Sequence, residues 1–201
     1  MENARQKAVR TIRDEHRSIS AVLHGLRHLA KQMVDAPVRP DFAVFHAMIR
    51  YIDEFPERLH HPKEEQFLFA RLIQRFPGAE PLALELRNEH VIGAQLIRDL
   101  ENELVYFEEN APAGAPTFRT AVEAYADFHW QHMRKEEEQI LPLAEMHLAA
   151  EDWEAIAAGF EDNRDPIAGV PQKEYEQLFS RIALIAPAPI GLGDRWKQAQ
   201  Y

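Results

Sequence analysis

Four apolar stripes of helical period run through this chain, and each carries a histidine in it or beside it. Over residues 6–34, Val9, Ile12, His16, Ile19, Leu23, Leu26 and Ala30 recur at steps of three and four, which puts them on one helix face. Over 41–75, Phe45, Ile49, Ile52, Phe55 and Leu59 form the apolar side, with His60 turned toward it. Ala83, Leu86, His90, Gly93, Ile97, Leu100 and Leu104 mark a third helix ending near 109. Phe118, Ala121, Tyr125, Phe128, His132, Glu136, Gln139 and Leu143 mark a fourth, ending near 148. Proline-bearing breaks at 35–40, 76–81 and 110–116 separate them, with Asp41 and Thr117 as the expected caps. No segment alternates with period two, so no sheet is expected. The predicted fold class is all-α: an antiparallel up-and-down four-helix bundle, which turns all four histidines inward.

A lone histidine on an apolar face is most often a hydrogen-bonded core residue. Four of them, with carboxylates one turn further on, point to a metal. The run His60-His61-Pro62-Lys63-Glu64-Glu65 has a second copy in His132-Met133-Arg134-Lys135-Glu136-Glu137. In each, a histidine and a carboxylate four residues apart share a helix face and can reach one point. Burying Glu64 and Glu136 unpaired would cost several kcal/mol, so they need a cation or protons. Without a cation, two carboxylates sharing one site are expected to raise the pKa of at least one. Imidazole and carboxylate together suit iron, with manganese or zinc as alternatives, and not calcium.

His61 is the ambiguous position. On a straight helix it is rotated about 100° from His60, which carries it away from the apolar side. Pro56 and Pro62 are unwelcome inside a helix, however, and a bend there would re-aim the neighbouring side chains. His24, His28 and His147 have no inward carboxylate partner, His46 is displaced along the axis, and His129 is expected beside the ligands rather than among them. Tyr125 and Phe128 are expected in the core, with Tyr125 near enough to reach a bound ligand. Gly93 costs a helix about 1 kcal/mol relative to alanine, which suggests that another backbone or a ligand approaches it.

The order His16, His60-His61-x-x-Glu64-Glu65, Glu89-His90, His132-x-x-x-Glu136-Glu137 resembles the hemerythrin-like HHE cation-binding proteins over about residues 8–148. The segments Asn163-Arg164-Asp165-Pro166 and 186–191 are similar to a C-terminal extension that some of those proteins carry. The resemblance implies two non-haem iron ions inside the bundle. His16, His60, His90 and His132 would be terminal ligands, and Glu64 and Glu136 would bridge. Hemerythrin itself has a further histidine four residues after the one on its third helix, where this chain has Ala94; His61 is the candidate substitute. Hemerythrin also has a His-x-x-x-x-Asp unit in its last helix, where this chain offers Glu136 or Glu137.

The expected function is a di-iron protein that binds or senses oxygen, peroxide or nitric oxide. The alternative is a di-iron enzyme, oxidase or peroxidase-like, or an iron-donating stress-repair protein. Oxygen-activating di-iron oxidases use two Glu-x-x-His units, and only Glu57-Arg58-Leu59-His60 has that form here. A structural zinc site is the third reading.

The net charge of -10 leaves no basic stripe for a nucleic-acid backbone. The chain has no cysteine, which excludes disulfides, thiolate zinc and iron–sulfur sites. With no apolar leader at its start and no run of about 18 apolar residues, a cytoplasmic location away from membranes is expected. The bundle is expected to occupy residues 1–149 and an appendage 150–201, with helices near 151–160 and 173–184 and an extended stretch at 186–193. Trp153, Phe160 and Trp196 would cover the bundle or join two chains as a homodimer.

Overall fold

The computed structural model describes residues 3–35 and 40–161. The expected helix at 173–184, the extended stretch at 186–193, Trp196 and most of the first connection lie outside them. Among the described residues every regular element is helical: an antiparallel up-and-down four-helix bundle with a fifth helix added. Helix α1 is Ala4–Asp35. Helix α2 runs over 42–75, and α3 is Glu80–Glu109. Helix α4 runs over 115–147, and α5 is Ala150–Glu161. Asp41 caps α2 as expected, its carboxylate accepting the Ala43 N–H at 3.1 Å. Thr117 does not cap α4. That helix already begins at Ala115, and the Thr117 hydroxyl donates to the Gly114 carbonyl inside the first turn.

The sequence places two apolar cores on either side of one polar layer. On α1, Ala8 and Ile12 belong to one core and Ile19, Leu23 and Leu26 to the other, with Glu15 and His16 between. The same order recurs on α2, where Leu59 precedes and Leu68 follows His60, His61 and Glu64. On α3, Leu86 and Ile97 flank His90. On α4, Met133 and Ile140 belong to opposite cores around Glu136. Helix α5 packs on α1, and Trp153 and Phe160 are buried in the core that holds Ala8, Ile12 and Leu72. Its ends are tied down by ion pairs of Arg75 with Asp152 and of Lys7 with Glu161.

The prolines inside α2 and α4 are absorbed by widened, i→i+5 turns at Asp53–His60, Glu64–Phe69 and Glu136–Ile140. The His61 amide reaches back to the Pro56 carbonyl, Ala70 to Glu65 and Leu141 to Glu136. Proline lacks a donor and presses on the preceding turn, and widening that turn relieves the pressure. Pro56 lies in the first wide turn, Pro62 between the first two, and Pro142 just after the third. These turns change the angular count on which a straight helix depends. His60 and His61 are both buried, at 1% and 4% exposure.

Candidate metal centre

The polar layer resolves into two corners that share two carboxylates. In one, the Nε2 atoms of His16 (α1) and His60 (α2) lie 3.1 Å apart. Glu64 Oε1 is 3.2 Å from His60 Nε2 and 3.5 Å from His16 Nε2, and Glu136 Oε2 is 3.4 Å from His16 Nε2. In the other, the Nε2 atoms of His90 (α3) and His132 (α4) are also 3.1 Å apart. Glu64 Oε2 is 3.7 Å from His90 Nε2, and Glu136 Oε1 is 3.3 Å from His132 Nε2. Each carboxylate therefore turns one oxygen to each corner. His61 groups with His90 and His132, not with its sequence neighbour His60. All seven residues expected from the sequence are brought together.

Each histidine is aimed from behind. His60 Nδ1 meets Glu15 at 2.6 Å, His90 Nδ1 meets Glu65 at 2.7 Å, His132 Nδ1 meets Glu89 at 2.9 Å and His16 Nδ1 meets Glu137 at 2.9 Å. The four contacts form a cycle. Helix α1 supports the histidine of α2, α2 that of α3, α3 that of α4, and α4 that of α1. A carboxylate on Nδ1 fixes the tautomer with its lone pair on Nε2, the form a metal needs. Sequence reasoning missed these supports. Their common signal is adjacency: Glu15-His16, Glu64-Glu65, Glu89-His90 and Glu136-Glu137.

The donor set fits a pair of metal ions. All four oxygens of Glu64 and Glu136 are buried without a hydrogen-bond partner, a costly arrangement unless a cation takes them. Metal–ligand bonds of about 2.1 Å at right angles set neighbouring donors about 3 Å apart, close to the spacings around each corner. The family model described as Hemerythrin HHE cation binding domain matches residues 7–144. This chain belongs to the hemerythrin HHE cation-binding family. No curated protein matches it. The matched span contains all seven candidate residues and ends before α5.

Electrostatics corrects one expectation for this hemerythrin-type centre. Burial pushes the Glu64 carboxyl up and Glu136 adds to that, yet His60 and His16 outweigh both and bring it down to about 2. Glu136 is likewise held well below the carboxylate range, with His132, His90 and His16 overcoming burial. Neither carboxylate is raised, because imidazoles supply the positive charge in the metal's place. Burial lowers the His132 pKa, but Glu136 and Glu89 carry it up to about 10. His16, His60 and His90 are raised in the same way. His61 goes the other way: burial prevails and takes it down to about 3.

The remaining histidines stay out of the centre. His24 leans on Trp130, His28 meets Gln32, His46 meets Glu108 and His147 stacks on Phe76. His129 is buried beside Glu57. A cleft of about 260 Å³ between α1 and α4 is lined in part by His16, Ser20, Trp130, Met133 and Glu137.

Proposed function

We propose that this chain holds two iron ions between its four helices and uses them to bind or sense oxygen, peroxide or nitric oxide. The carrying observation is the pair of buried carboxylates, without hydrogen-bond partners, whose oxygens divide between two histidine corners. In this reading His16 and His60 hold one iron, His61, His90 and His132 hold the other, and Glu64 and Glu136 bridge. Iron supplies a redox-active Lewis acid to which a small diatomic molecule can bind. The chain's own contribution is to orient the imidazoles through Glu15, Glu65, Glu89 and Glu137 and to keep the layer dry between two apolar cores.

The corners are unequal. The His16–His60 corner offers two imidazoles and two carboxylate oxygens, and the other offers a third imidazole. The cleft touches His16, which belongs to the corner with fewer donors, and this supports binding of an external ligand on that side. No helix among the described residues is long and apolar enough to cross a membrane.

The test is metal analysis of protein purified without oxygen, with an optical spectrum before and after oxygen or nitric oxide. Two irons per chain and a band that forms and reverses are the expected result. Steady turnover of an added substrate would favour the enzyme reading instead. Zinc, or no metal, in fully folded protein would overturn the proposal.

A further inference from the structure

A buried carboxylate beside the layer belongs neither to the ligand set nor to the cycle of supporting carboxylates. Glu57 sits in the first widened turn of α2 with its side chain 5% exposed. Three side chains converge on it. The Tyr125 hydroxyl donates to Oε1 at 3.0 Å, His129 Nε2 is 3.3 Å from the same oxygen, and His61 Nδ1 is 3.4 Å from Oε2. Gly93 makes the room: a Cβ there would stand 3.2 Å from Glu57 Oε1 and 3.3 Å from His129 Nε2. The approach that a glycine in this helix implied is therefore made by a carboxylate and an imidazole, neither backbone nor ligand.

We infer that Glu57, held by Tyr125 and facing His129, positions His61, fixing its orientation and tautomer so that Nε2 faces the His90–His132 corner. This rests on the reading that the corner holds a metal. Tyr125 occupies Oε1 and leaves Oε2 for the Nδ1–H of His61. A proton held on Nδ1 puts the lone pair on Nε2. The His61 ring lies parallel to His90 at 4.2 Å between centroids and parallel to His129 at 5.8 Å. His61 thus has what the other four histidines have, a carboxylate behind Nδ1, but from its own helix rather than a neighbouring one. The contact is longer than the other four, and Nδ1 lacks an aligned partner. A cation on Nε2 would make the Nδ1–H a stronger donor to Glu57.

The experiment uses the full chain loaded with zinc, a diamagnetic probe, together with the iron-loaded form. Nitrogen-15 NMR of the imidazoles is expected to show His61 protonated on Nδ1 and metal-bound through Nε2. Glu57→Gln keeps the volume and removes the anion. It should weaken one of the two metals by roughly 10–100-fold and alter the His61 signals. In combination with His61→Ala it should add nothing, whereas Glu65→Ala, which acts through His90, should add its own loss. A Glu57→Gln chain that keeps both metals at unchanged affinity, with His61 still bound through Nε2, overturns the assignment and leaves the two-metal reading intact. A wild-type chain that never takes up two metals overturns both.

Discussion

The two corners of the centre are built from the same parts, a Glu-His pair on one helix and a His-x-x-x-Glu-Glu run on the next. They differ at the residue that follows the histidine of the run. On α2 it is His61, which crosses to the His90–His132 corner. On α4 it is Met133, which lines the cleft beside His16. One copy puts an imidazole where the other puts a thioether and an opening. The residue four positions earlier differs as well: Glu57 stands behind His61, and His129 stands before Met133. One corner thus gathers three imidazoles and the other two. The His16–His60 corner is also the one that the fifth helix touches, with the Phe160 ring 6.1 Å from that of His60 and the Lys63 ammonium donating to the Phe160 carbonyl at 3.4 Å.

The largest effect should come from the parts the corners share. Glu64→Ala or Glu136→Ala removes an oxygen from each corner at once, so either variant should lose stoichiometric binding of two metals. Two tightly bound irons in either variant, by metal analysis, would show that the carboxylates do not bridge. His61→Ala should act on one corner only, lowering the occupancy of one metal and leaving the other near full. Equal loss at both, or none, would erase the difference between the corners.

Met133→His tests the same difference from the other side, by offering the His16–His60 corner a third imidazole like that of the other. Metal content should stay at two, while binding of azide or nitric oxide, followed optically, should weaken by at least about tenfold, as expected when a protein donor competes for the position. Unchanged ligand binding would place the exchangeable position elsewhere.

The smallest effect is on the pH dependence of stability. His132, raised to about 10, stabilises the metal-free fold fully below its unfolded pKa near 6.5, and that contribution is lost as pH rises through 10. Glu64, lowered to about 2, stabilises it above about 4.5, and that contribution is lost as pH falls through 2. Metal-free protein should therefore be most stabilised by these two groups between about pH 4.5 and 6.5. Metals compete with the histidine protons, so the gain in melting midpoint on loading should grow from pH 6 to pH 9. A gain that stays constant over that range would mean that the four raised histidines do not hold the metals.

The helices were legible because their apolar residues repeat every three or four positions, and a histidine within such a stripe inherits its direction. That is why His16, His90 and His132 could be placed from spacing alone. His61 could not. Counted on a straight helix it leaves the core, and only the widened turns around Pro56 and Pro62 bring it in. Glu15, Glu65, Glu89 and Glu137 escaped for another reason: each acts on a histidine of a different helix, so no spacing within one helix reveals it. Gly93 was noticed for its cost, but its neighbours Glu57 and His129 come from two other helices.

The sequence by itself determined the all-helical bundle, the order of its helices and the side chains that would share a polar layer. Those follow from local periodicity and from the cost of burying carboxylates without a cation. Only the tertiary structure decided which histidines group at which corner and which carboxylates of neighbouring helices stand behind four of them. Those depend on distances between helices and on how a proline-bearing helix redistributes its turns, and neither is written in the spacing of residues along one chain segment.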